Sequence, residues 1–105
     1  MRGPDVGYWS RARLPIPPTD GYPEISPDLA VEVMSPHDVF RELYQKVREY
    51  LRAGTKQVWV FLSEDRSGGV FYPDGSEKLL NENETLDGGD VLPGFSCRVG
   101  DFFPA

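Results

Sequence analysis

Two short, largely apolar stretches, LAVEVMSP at 29–36 and QVWVFLS at 57–63, flank a segment with helical periodicity. No other feature constrains the fold of this chain as strongly. The second run is almost continuously apolar and rich in β-branched and aromatic residues, and its length suits a strand covered on both faces. In the first, alternation places Leu29, Val31 and Val33 on one face and Ala30, Glu32 and Met34 on the other. Between them, Ser35 is a candidate N-cap, Pro36 suits a first helical position and Asp38 completes an S-x-x-D capping pattern. Phe40, Leu43, Val47, Tyr50 and Leu51 then recur at steps of three and four, which makes one apolar stripe. Gly54 is the expected stop signal. The pattern predicts a helix over 36–53 between two strands, with a right-handed crossover if those strands are parallel.

The flanking segments extend this core into a sheet. PDVGYWS, at 4–10, reads as a further strand entered from a Pro-Asp turn, as does PDLAVEVMS at 27–35. RLPIPPTDGYPEISP, at 13–27, carries five of the ten prolines and reads as an exposed connection, because proline lacks a ladder N–H. EDRSGG is expected to turn, VFYP to return as the second strand of a hairpin, and EKLLN to add a short strand. LDGGDVLPGFSCRVGDFF is expected to hold turns, a strand near 95–99 and a closing aromatic pair, Phe102 and Phe103. The fold class is therefore α/β (or α+β): a mixed sheet with a strand–helix–strand core and the helix on one face. With 105 residues, a single domain over 1–105 is the expectation.

Composition narrows the function classes. Seventeen Asp and Glu against eleven Lys and Arg give a formal net charge of −6. That disfavours a broad electrostatic footprint on nucleic acid but leaves room for a local basic patch. No run of eighteen apolar residues is present, so no membrane partner is expected. The start, MRGPDVGYWSRARLP, lacks a leader-type apolar core, and the single Cys97 suits a reducing compartment. Both point to a cytoplasmic location.

Glu32 is the residue that demands an explanation. It is a lone carboxylate mid-strand among apolar neighbours, and a buried anion without a partner or a cation is costly. Lys46 lies three residues after Leu43 and four before Tyr50, at the border of the apolar stripe, from which its ammonium can extend towards the sheet. A structural ion pair between the two is the plain reading. A chemical reading needs a second acid. Asp28 lies four residues away on the same strand, about 13 Å between Cα atoms, too far to share an ion comfortably. Asp5 enters from another strand, and adjacent strands lie about 4.8 Å apart, so it is the better partner. Two carboxylates hold Mg²⁺ through oxygen with waters completing the octahedron. A lysine beside them stabilises developing negative charge. Together they suit phosphodiester hydrolysis.

These residues also carry a resemblance. PDV, then SPDLAVEVMSPHD, then ELYQKVREYLRAGTKQVWVF, then FYPDGS and LDGGDVLPGFSCRVGDFF resemble, in order and spacing, the Uma-two family of restriction-endonuclease-like proteins within the PD-(D/E)XK nuclease superfamily. The similarity covers essentially the whole chain. It implies a restriction-endonuclease-like core that here lacks the family's N-terminal portion, since members are usually nearly twice as long. It implies Asp5 and Glu32 as ligands of Mg²⁺ (or Mn²⁺), the backbone carbonyl of Val33 as a third ligand, and DNA as substrate. The usual superfamily lysine, two residues after Glu32, is replaced by Met34, and the resemblance implies that Lys46 on the helix takes its role. Gln45 stands where an acid often precedes that lysine, and Leu62 where an Asp often ends the strand.

Lesser candidates are His37, after Ser35-Pro36, which could reach a phosphate or a metal; Tyr8, Trp9 and Tyr22 near the proline-rich connection, which could stack on bases; and Arg11 and Arg13, which could touch phosphates. Exposed loop residues, packing and ordinary surface charge are their plainer readings. Trp59 is expected in the core. Two functions stay open at this point: a metal-dependent endonuclease using Asp5, Glu32 and Lys46, or a catalytically inactive family member acting as a structural or protein-interaction module. A sheet lacking its first strands leaves an edge that invites pairing, so a homo-oligomer is expected in either case.

Overall fold

The computed structural model describes residues 5–11, 25–35 and 38–104. Five strands form one sheet in the order β1-β2-β3-β4-β5. These are β1 (Val6–Tyr8), β2 (Leu29–Met34), β3 (Gln57–Leu62), β4 (Ser67–Phe71) and β5 (Glu77–Leu80). The helix α1 (Phe40–Arg52) connects β2 to β3, which run parallel, with Glu32 level with Val60. The other pairs in this sheet are antiparallel. A second sheet pairs β6 (Thr85–Asp87) with β7 (Ser96–Arg98), and a 3-10 turn follows at Val99–Phe102.

The alternation in the strands decides the layers. Ala30, Val58 and Val60 face α1 and pack on Val47 and Tyr50. Leu29, Trp59 and Phe61 face the other way and pack with Val70, Leu80, Leu86, Val91 and Val99. β3 is buried at five of its six positions because it lies between these two layers. Trp59 is in the core as expected, and its indole N–H donates to Gln57 Oε1 two residues along the same face.

Four local features differ from the sequence expectation. The helix begins at Phe40, with Val39 as N-cap and no side-chain cap, so Ser35 does not cap it. Ser35 and Asp38 instead close a turn of their own: the Asp38 carboxylate accepts both the backbone N–H and the hydroxyl of Ser35, and the Asp38 N–H donates to the Ser35 carbonyl. Pro36, His37, Tyr22 and Arg13 lie outside the described residues. Phe40, counted in the apolar stripe, is 58% exposed and stacks on Tyr44. Ser67, Gly68 and Gly69, read as a turn, belong to β4. The Phe61 ring lies 3.4 Å from where a Gly68 Cβ would stand, and Leu79 and Phe71 cover Gly69 likewise, so neighbouring side chains fill the space that these glycines leave. Finally, Leu86 and Asp87, where turns are expected, belong to strand β6, which pairs through Leu86 and Cys97.

The C-terminal end of α1 follows its sequence signal closely. Gly54 has φ 106°. Its N–H donates to Leu51 and the N–H of Thr55 donates to Tyr50, which together form a Schellman closure. That turn feeds Lys56 and Gln57, whose N–H groups both reach the Asp28 carbonyl, and so sets the start of β3 against β2. A Gly54→Ala variant meets no steric obstacle but must hold a left-handed backbone. Its expected cost is about 1 kcal/mol in urea unfolding, with m unchanged.

Candidate active site

The site is assembled from two strands and one helix. β1 and β2 pair with Val6 opposite Val31. Continuing that register by one residue places Asp5 opposite Glu32, where Cβ atoms on one face lie about 5 Å apart. The Asp5 Oδ2 accepts the N–H of Val33 at 2.8 Å. The N–H and C=O of one strand residue face the same neighbour, so the Val33 carbonyl looks towards the Asp5 side as well.

Glu32 is 3% exposed. Its face of β2 is the face that α1 covers, and two helix residues four apart reach it. Lys46 Nζ lies 3.1 Å from Glu32 Oε1, and the Tyr50 hydroxyl donates to the same oxygen at 3.1 Å. Residues at i and i+4 share a helix face, so one turn of α1 supplies both donors. Lys46 is 22% exposed, which matches its place at the edge of the apolar stripe. Burial pushes the Glu32 carboxyl above its ordinary value. The hydrogen bond and charge of Lys46 oppose this, the Asp5 charge adds to it, and Tyr50 opposes it more weakly. Desolvation thus outweighs the pairing, as expected for a carboxylate enclosed between a sheet and a helix.

Asp5, Glu32, Val33 and Lys46 line one open pocket of about 490 Å³, together with Met34 and Tyr50. The helix adds Glu42, Gln45 and Glu49 to its rim, and the turn before the helix adds Asp38. The structure therefore brings the three sequence-derived candidates together. Asp28 sits at the opposite end of β2, where its carboxylate accepts the N–H of Ser10 and pairs with Lys56. Among the described residues, no group of three or more His, Cys, Asp and Glu is arranged to hold a metal.

Tyr50 is the residue whose part the sequence reading missed. The periodicity places it in the apolar stripe, and it is 1% exposed. Its hydroxyl nevertheless ends on the one buried carboxylate of the pocket. The signal available in the sequence was its place four residues after Lys46. Three of the remaining candidates, Trp9, Tyr8 and Arg11, lie among the described residues. Trp9 donates through Nε1 to the Ile25 carbonyl and ties the two ends of the connection together. Tyr8 is a half-exposed strand residue, and Arg11 is exposed.

Comparison with known proteins places this geometry in context. A family model described as "Uma2: Putative restriction endonuclease" matches residues 1–100. Among solved structures, "a putative nuclease belonging to DUF820" from Anabaena variabilis superposes with a TM-score of 0.78 at 17% identity. The match covers 93% of this chain and 57% of that one, so the present chain spans little more than half the length of this structural relative. No curated protein matches the chain.

The buried carboxylate has a measurable consequence. A carboxyl raised above its ordinary 4.5 binds its proton more tightly in the folded state. Its contribution to stability is complete below that value and is lost as pH rises through the folded-state pKa. Glu32→Gln should therefore unfold at the same temperature as wild type, or above it, at pH 7. It should also show a flatter stability profile from pH 4.5 upward. Tyr50→Phe, which removes a donor from a charged acceptor, should cost about 1–2 kcal/mol at pH 7. Thermal and urea unfolding across pH check both.

Proposed function

The chain belongs to the Uma2 restriction-endonuclease family, and from that premise we propose that it is a divalent-metal-dependent DNA endonuclease. In this reading Asp5 and Glu32, with the backbone carbonyl of Val33, hold Mg²⁺ or Mn²⁺, and Lys46 assists the attacking water. The observation that carries it is the meeting of Asp5, Glu32 and Lys46 from three separate segments in one pocket. The donor set suits such an ion: two carboxylates and a carbonyl are hard oxygen ligands, and Mg²⁺ retains several waters beside one or two carboxylates. A buried anion whose carboxyl is pushed upward is also where a cation offsets the most desolvation cost.

The chain's own groups then divide the work. Asp5 is oriented by the Val33 N–H, which fixes one carboxylate oxygen and leaves the other for a ligand. Lys46 and Tyr50 both take Glu32 Oε1, which turns Oε2 away from the helix donors. The Lys46 ammonium has three protons, of which one serves Glu32. The others can orient a water for in-line attack and stabilise the charge developing on phosphorus-bound oxygen. The cation, when bound, acidifies water and neutralises phosphate charge. Met34, on the same face two residues after Glu32, supplies no such donor, so the cationic role falls to the helix. In the same reading the protein is a homo-oligomer, because among the described residues β1 and β5 are edge strands, which invite pairing.

A second reading, a non-catalytic module that keeps the fold, draws on the sparse acid set among the described residues. Three variants separate the readings in a plasmid-nicking assay with Mn²⁺, with calorimetry in parallel. Asp5→Asn and Glu32→Ala should lose both cleavage and Mn²⁺ affinity. Lys46→Ala should lose cleavage by about 10²-fold or more while still binding Mn²⁺. Wild-type protein that neither binds Mn²⁺ nor nicks plasmid supports the module. Undiminished cleavage by Glu32→Ala overturns the assignment.

A further inference from the structure

The outer face of α1 holds a set of charges that the pocket does not use. At about 100° per residue, Arg41, Arg48 and Arg52 fall within about 40° of one another, with Gln45 beside them. All three arginines are exposed. The described residues include nine of the chain's eleven Lys and Arg, since Arg2 and Arg13 lie outside them. Four of the nine (Lys46, Lys56, Arg66 and Arg98) are in ion pairs. Arg41, Arg48 and Arg52 make none with any described residue, although Glu42 and Glu49 are on the same helix. Three of the five cations left over thus line up on one face of one helix, in a chain of net charge −6.

We propose that this stripe is a phosphate track for duplex DNA, which holds the backbone beside the pocket while the scissile phosphodiester enters it. The proposal rests on the endonuclease reading above. Gln45 belongs both to the stripe and to the pocket rim, so the two surfaces are continuous. With a rise of 1.5 Å per residue, Arg41 and Arg48 are separated by about 10 Å along the axis, and Arg48 and Arg52 by about 6 Å. The whole stripe spans about 16 Å, or the axial length of about five base pairs. Guanidinium groups match phosphate oxygens through paired N–H donors. Glu42 and Glu49 lie between the stripe and Lys46 and carry the opposite charge. They disfavour phosphate on the rim itself and leave the arginines, which reach further from the helix axis, as the place where a backbone can rest. Contacts of this kind position DNA and carry no sequence preference.

The test measures binding of a fluorescein-labelled duplex of about 20 base pairs by the protein over a salt series, without divalent metal and again with Mn²⁺ in a Lys46→Ala background. If the track is correct, the triple variant Arg41→Ala, Arg48→Ala, Arg52→Ala weakens binding at least tenfold near 100 mM salt. It also flattens the slope of log K against log salt by about 2–3, close to one per lost contact. The triple variant Arg41→Lys, Arg48→Lys, Arg52→Lys restores most of that slope, and Lys78→Ala, on β5 and paired with Val70 on the sheet face away from α1, leaves it unchanged. Thermal unfolding confirms that each variant is folded. If wild type binds duplex and the alanine triple variant binds with the same affinity and slope, the track is overturned and the endonuclease reading stands. If wild type binds no duplex under either condition, both fall.

Discussion

The fold around the site depends on one contact, the meeting of Glu32 with Lys46 and Tyr50 between the sheet and its single helix. A carboxylate enclosed at this depth is costly unless donors or a cation face it. Here both donors come from one turn of α1 and converge on one oxygen. The geometry fixes the helix relative to β2 in rotation and in height, because a shift of one residue would move Lys46 and Tyr50 off that face together. The Schellman closure at Gly54 and the Asp28 carbonyl that takes two N–H groups at the start of β3 hold the other end of the same module. The site is thus a product of the strand–helix–strand core, and only Asp5 is borrowed from a neighbouring strand.

The pairing is also incomplete as an electrostatic solution. Burial pushes the Glu32 carboxyl up despite a lysine 3.1 Å away, and the Asp5 charge adds to the effect. Natural proteins retain such arrangements where function needs them and stability does not. The Asp5 charge works against the ionised form of Glu32, as a neighbouring like charge does.

Much of this was legible in the residues. The alternation of LAVEVM assigned Glu32 to the helix-covered face, and the three- and four-residue steps put Lys46 at the stripe's border. Strand spacing favoured Asp5 over Asp28, which lies at the far end of β2 against Lys56. What escaped was set by contacts distant in sequence. The S-x-x-D pattern at Ser35 is a genuine capping signal, but it closes a turn that ends before the helix begins. Gly68 and Gly69 read as turn residues until the Phe61, Phe71 and Leu79 side chains that cover them are known. Tyr50 satisfies the apolar periodicity so well that its hydroxyl went unread, because only β2 on the other side of the interface gives that hydroxyl a partner. The chain spans 57% of its structural relative, and the strand–helix–strand core and the pocket lie among its described residues.

The central claim is that Asp5 and Glu32 together form a cation site. The most direct measurement is a crystal of the protein soaked in Mn²⁺ and examined for anomalous scattering. The account predicts a peak within about 2.0–2.3 Å of oxygens from both carboxylates, with the Lys46 ammonium adjacent and displaced from the ion. A fully soaked crystal with Glu32 still bound only to Lys46 and Tyr50, and with Mn²⁺ absent from the pocket, would contradict it.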